Sequence, residues 1–197
     1  MSDKILIIEN LLDRATDIII GGGMAYTFIK AQGGEIGNSL FEPDRIDTVL
    51  DIFKKAKEMG VSIHLPADSV VADSFAESAR TQTVHTHEIP EGWMGLDIGT
   101  EAITQFQEVI VSSKTILWNG PMGVFEWNSF ERGTKEIALS VATATERGAF
   151  SLIGGGDSAA AIAKFGLAEK VSYVSTGGGA LLELFEGKTL PGINALD

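Results

Sequence analysis

With 197 residues, 44% of them hydrophobic, the chain has enough apolar material for one large globular domain. A formal net charge of −12 argues against nonspecific nucleic-acid binding and against docking on anionic membranes. There is no cysteine, which excludes disulfides and thiolate metal or redox chemistry and fits a cytoplasmic protein, and neither a signal peptide nor an apolar run of transmembrane length is found.

Met1-Ser2-Asp3 reads as an introduced start, because the amphipathic pattern is already under way by Ile5. Lys4 to Leu12 has Ile5, Ile8, Leu11 and Leu12 on one helical face. Asp17–Ile20 is a short apolar run of strand length, followed by Gly21, Gly22 and Gly23 and a helix from Met24 to Ala31. Ile36–Phe41 reads as a loop, and Glu42-Pro43-Asp44 opens a helix that keeps apolar spacing until Gly60. Val61–Leu65 is a strand, and Ser69–Gly92 is irregular, with short β-like runs at Val70-Val71 and Thr83-Val84. Trp93–Gly99 reads as a loop before a helix at Glu101–Val109. A strand at Thr115–Trp118, a helix from about Ser129 to Arg147 and a strand at Phe150–Ile153 follow. Gly154-Gly155-Gly156 then leads into an Ala-rich helix, capped by Asp157 and Ser158 and ended by Gly166. A last strand, Val171–Ser175, runs into Gly177-Gly178-Gly179.

Helices alternate with strands, which predicts an α/β, doubly wound, mostly parallel sheet with helices on both faces (Rossmann-like, a three-layer sandwich) and one irregular β insert, all in one domain. Three strand–triple-glycine–helix units are more than turn chemistry requires. Glycine lets backbone approach a ligand, a helix N-terminus presents unpaired N–H groups, and parallel strands put their C-terminal ends on one edge. Together these point to a large, phosphate-bearing ligand on that edge, with Asp157 as a hard oxygen suited to Mg²⁺. Glu126, near a strand end, is suited to a ribose hydroxyl. Lys4 near a helix start is unfavourable on dipole grounds, which suggests a phosphate partner. His85-Thr86-His87 offers two imidazoles, too few for a metal site, and reads as solvated surface. Trp93, Trp118 and Trp127 read as packing residues. A P-loop is absent: Gly187-Lys188-Thr189 lacks the earlier glycine and the preceding strand. Gly154–Ala159 matches a dinucleotide fingerprint, but the strand Val171–Ser175 ends without the acidic residue that a nicotinamide site needs.

The segments SDKI at 2–5, IIGGGMAYTF at 19–28, GWMGLDIG at 92–99, WNGPMGVFE at 118–126, GGGDSAAA at 154–161 and STGGGALLELFEGKTLPG at 175–192 resemble the phosphoglycerate kinase family, in order and across essentially the whole chain. The resemblance is to that two-domain enzyme's C-terminal, nucleotide-binding half, without the N-terminal half that holds 3-phosphoglycerate. It implies ADP or ATP with Mg²⁺ as the substrate nucleotide and Lys4 on nucleotide phosphates. It places Gly21, Gly22 and Gly23 against the adenine, with Leu40, Gly95 and Leu96 lining its pocket. Asn119 and Pro121 fall beside the nucleotide, Val124 near the ribose and Glu126 on the ribose hydroxyls. Gly155, Gly156, Asp157 and Ser158 form the nucleotide loop, Asp157 contacts Mg²⁺, and Gly177, Gly178 and Gly179 face the transferred phosphoryl group. The family's upstream GGAK lysine is not in this chain, Thr100 stands where Pro is usual, and Leu181 stands where Ser is usual. The expectation is a cytoplasmic, monomeric nucleotide-binding fragment whose other partner is the missing domain, inactive by itself; the alternatives are a dinucleotide-dependent oxidoreductase domain and an α/β scaffold that binds nothing.

Overall fold

The computed structural model describes residues 2–175. The chain begins with α1 (Ser2–Leu11), β1 (Asp17–Ile19), α2 (Gly23–Ala31) and a two-residue strand, β2 (Glu35–Ile36). A 3₁₀ turn at Pro43–Arg45 starts α3 (Ile46–Met59), as the proline predicts, and Gly60 stops it in the left-handed conformation. The strands β3 (Ser62–His64), β4 (Asp68–Ala72), β5 (Thr81–His85), β6 (Glu88–Ile89) and β7 (Met94–Ile98) follow. The last third alternates α4 (Thr100–Ser112), β8 (Thr115–Asn119), α5 (Arg132–Glu146), β9 (Phe150–Gly154), α6 (Gly156–Lys164) and β10 (Tyr173–Ser175).

Pairing is parallel between β1 and β3, between β2 and β6, and through β8, β9 and β10, with β9 in the middle. The three strands β5, β4 and β7 form an antiparallel sheet, with a bulge between Val70 and Val71. This is an α/β fold with parallel sheets, and the expected irregular insert is the antiparallel part. Two large cores hold it together. Ile5, Ile8, Phe28, Val49 and Ile52 join α1, α2 and α3 against Ile18 of β1. Ile103, Phe106, Ile137, Val141, Ile153 and Ile162 join α4, α5, β9 and α6. Among the described residues no helix is long and apolar enough to cross a membrane.

Two segments differ from expectation. Trp93–Gly99 is largely strand β7, not a loop. Leu96, Asp97 and Ile98 are all buried, so the alternation that marks a half-exposed strand is missing. Part of the expected loop at Ile36–Phe41 is β2, paired with β6 in a register local periodicity cannot reveal. The helix expected from Ser129 begins at Arg132, after a 3₁₀ turn at Asn128–Phe130.

Helix α4 is capped from a distance. The Asp68 carboxylate on β4 accepts the Ala102 N–H at 2.8 Å and the Glu101 N–H at 3.2 Å, both in the first turn of α4. A side chain on Gly99 would overlap it. Asp68→Ala strands these N–H groups in a nearly closed site, so it should cost about 2 kcal/mol. Thermal unfolding should show a Tm lower by roughly 4–8 °C; a change under one degree would mean that the cap contributes nothing.

Candidate nucleotide site

The loops after β1, β8 and β9 converge at the C-terminal ends of their strands. Asn119 and Gly154, the last residues of β8 and β9, are register partners, and Ser175 of β10 pairs with Gly154 on the other side. The predicted Gly177, Gly178 and Gly179 follow Ser175 and lie outside the described residues.

The β8 loop is pinned at Gly120. Its N–H donates to Ser158 Oγ at 2.6 Å, and its carbonyl accepts the Trp118 indole N–H at 2.7 Å. The Ser158 side chain is thus committed inside the protein, 1% exposed, and what it offers a ligand is its backbone N–H in the first turn of α6. Trp118 packs as expected and also holds the turn. Lys4, half-buried in the first turn of α1, brings its Nζ to 3.3 Å from where a Cβ on Gly120 would stand. This accounts for a cation at a helix N-terminus: it belongs to the strand-end cluster, far from it in sequence.

Gly155 caps α6 at φ 91°, and a Cβ there would lie 3.2 Å from Asn119 Oδ1. Gly156 has open space where a side chain would begin, and Asp157 is exposed beside it. Among the described residues, Asp157 makes no hydrogen bond or ion pair, and no cluster of three or more His, Asp or Glu could hold a metal ion. One exposed carboxylate beside a glycine loop at a helix N-terminus nevertheless fits Mg²⁺, which takes one or two carboxylates and completes its shell with water and substrate oxygens. The Nδ2 of Asn119 is buried without a hydrogen-bond partner among the described residues. An amide donor closed off from water costs about 1–3 kcal/mol if left unpaired, so its acceptor is to be sought outside the described residues, in the chain or in a ligand.

The first triple glycine makes room for neighbouring loops. A Cβ on Gly21 would overlap Met122 Sδ, and one on Gly22, at φ 61°, would lie 2.7 Å from the Pro121 carbonyl. These glycines let the β1 and β8 loops touch; Gly23 begins α2. At Gly95 the Cβ space is filled by the Tyr26 ring and hydroxyl, and the Gly95 N–H donates to Ser39 Oγ at 2.9 Å. Leu96, 7% exposed, sends its side chain into a cluster with Ala72 and Phe130, and its carbonyl accepts the Val124 N–H at 2.9 Å. Leu40 is 61% exposed, an apolar side chain left open beside Ser39. Glu126 is exposed, with no partner among the described residues. The preceding Phe125 carbonyl accepts Lys164 Nζ at 2.7 Å, and Lys164 also pairs with Glu131. His87 meets Gln32 at 3.0 Å on the exposed surface, as expected for solvated histidines.

Several residues of this site were not legible as such. Phe75, 64% exposed, leans its ring on Trp127 at 4.7 Å beside Val124. Thr134 in the first turn of α5 accepts the Met122 and Gly123 N–H groups at 3.1 and 3.3 Å, and nothing in the sequence marks it. Asp97, buried on β7, carries no mark in the sequence beyond its place in the segment GWMGLDIG.

The phosphoglycerate kinase family model matches residues 1–188. The chain is 58% identical over its full length to the phosphoglycerate kinase of Porphyromonas gingivalis, and 55% to that of Acaryochloris marina. It covers 47% and 49% of those proteins, so the chain spans about half the length of the curated relatives it matches. The solved structure of phosphoglycerate kinase from Coxiella burnetii superposes with a TM-score of 0.93 at 44% identity, covering 99% of this chain and 50% of that one. That from Pyrococcus horikoshii gives 0.82 at 29% identity, covering 99% and 49%. A match across nearly the whole chain, on a fold whose strand ends bring three glycine loops together, makes this chain a member of the phosphoglycerate kinase family.

Proposed function

We propose that the chain is the C-terminal, nucleotide-binding half of a phosphoglycerate kinase, and that its strand-end cluster holds ADP or ATP with Mg²⁺. The observation that carries this is the Nδ2 of Asn119, buried and without a partner among the described residues, beside Gly155 and one residue from the Gly120 turn that Lys4 approaches; a phosphate oxygen is the acceptor this reading gives it. The intact enzyme would move a phosphoryl group reversibly between 1,3-bisphosphoglycerate and ADP, yielding 3-phosphoglycerate and ATP in glycolysis.

In this reading Lys4, Asn119 and the N–H groups of Gly156, Asp157 and Ser158 bind phosphate oxygens and hold them in place. Asp157 holds Mg²⁺, which neutralises charge on the phosphates during transfer. Glu126 takes the ribose hydroxyls, and Leu40, Gly95, Leu96 and Val124, with Gly21, Gly22 and Gly23, shape the adenine side. Gly177, Gly178 and Gly179 complete the phosphoryl end. The acid substrate would sit on an N-terminal domain, whose closure would exclude water. On this reading the C-terminal half binds nucleotide as a cytoplasmic monomer, and turnover needs the domain that holds the acid substrate.

Calorimetric titration with ADP, with and without Mg²⁺ and with NAD as control, tests this. The expected result is ADP binding that Mg²⁺ strengthens and no NAD binding. Asp157→Ala should erase the Mg²⁺ dependence while leaving Tm within about two degrees, since its side chain is exposed. A folded chain that ignores ADP, or binds NAD as well, would defeat the reading.

A further inference from the structure

Asp97 on β7 is a buried carboxylate that the site described above does not use. It is 2% exposed, and its two oxygens face different elements. Oδ1 accepts the Ile98 N–H at 2.9 Å, and Oδ2 accepts the Gly133 N–H at 2.8 Å, in the first turn of α5. Gly123 of the β8 loop and Gly133 of α5 both press so closely on this carboxylate that a Cβ on either would overlap it. The next residue of α5 is Thr134, whose hydroxyl accepts the Met122 and Gly123 N–H groups, while Val124 N–H donates to the carbonyl of Leu96, the neighbour of Asp97. One carboxylate thus ties strand, helix start and loop together. Favourable placement of negative charge at a helix N-terminus strengthens the tie.

On the nucleotide reading of the site, we infer that Asp97 is a positioning residue for it, locking the start of α5 and, through Thr134, the loop from Gly120 to Glu126 against β7. Pro121, Val124 and Glu126 take their places from that loop, so their aim depends on a residue that touches no ligand.

The lock has a titratable pin. Burial pushes the Asp97 carboxyl up to about 7, against the Gly133 and Ile98 N–H groups and the Arg132 guanidinium, which favour its charged form. Among the described residues Tyr26 of α2 also faces it, itself pushed up to about 12 by burial and so neutral throughout. The ionised form accepts the two N–H bonds more strongly, so the loop is held best above the midpoint. Stability runs the other way. A raised carboxyl contributes stability that is complete below the ordinary carboxylate range and lost as pH rises through about 7.

The test follows backbone amides by NMR and ADP affinity by calorimetry between pH 5.5 and 8.5, on the wild-type chain and on D97N. Without ligand, the Gly133, Met122 and Gly123 amide shifts of the wild type should titrate together with a midpoint near 7, and in D97N they should be flat. The ratio of wild-type to D97N affinity should rise at least threefold from pH 6 to pH 8; taking the ratio cancels the nucleotide's own titration. Gly133 moving without Met122 and Gly123, or a constant ratio, would overturn the inference. If D97N does not fold, the wild-type amide titration decides alone. If the wild type binds no ADP, the nucleotide reading fails, and the ligand-free titration still shows whether Asp97 governs the loop.

Discussion

Gly95→Ala should destabilise the chain by about 3 kcal/mol, at the upper end of what overpacking a buried site costs. The new methyl would run into the hydroxyl and ring of Tyr26, which is 4% exposed and packed with Ile29, Ile36, Val71 and Ile89. A rigid ring held on every side cannot swing aside, so β7 and α2 must separate. Thermal unfolding should show Tm lower by roughly 6–12 °C. Because β7 also carries Leu96 and Asp97, the β8 loop should loosen, and ADP affinity should fall with stability. Combining the change with Tyr26→Ala should cost less than the sum of the two single changes, since the clash and the cavity share one space. Additive losses would show that Tyr26 is not what excludes the side chain.

Lys4→Ala should have the opposite profile: a large loss of nucleotide binding with little loss of fold. Lys4 is half-buried and its ammonium lies over the Gly120 turn, whereas the α1 core rests on Ile5 and Ile8, both at most 5% exposed. A charged hydrogen bond to phosphate contributes about 1.5–3 kcal/mol, or roughly 10- to 150-fold in Kd. Tm should move by less than about two degrees, the usual range for a residue outside the core. Lys4→Arg should recover only part of the affinity, because a planar fork cannot replace a point charge in the same space. Unchanged ADP affinity in Lys4→Ala would remove this residue from the proposed site. Set beside Asp157→Ala, the pair separates direct phosphate binding, lost with or without Mg²⁺, from the metal-dependent share.

Much of the fold was legible because it is written locally. The 3.6-residue apolar spacing of α1, α3 and α4, the proline that opens α3 and the glycines that stop α3 and α6 act within a few residues of themselves. The strand–glycine–helix grammar at β1 and β9 is local too, and it pointed to the edge where the loops gather. It could not say what each glycine makes room for. Gly21 and Gly22 admit Met122 and Pro121, and Gly95 admits Tyr26, so at these positions the close approach is made by the protein itself. Strand β7 carries no local mark, because burial on both faces erases the alternation. Lys4 meets Gly120, Ser158 meets the Gly120 amide and Asp97 meets Gly133 across separations of 36 residues or more, beyond the reach of any periodicity. By itself, the sequence determined the α/β alternation, the main helices and the family. Only the tertiary structure decided which backbone groups are satisfied, that the Asn119 amide has no partner among the described residues and which carboxylate holds the loop, because such pairings arise only when distant segments exclude water together.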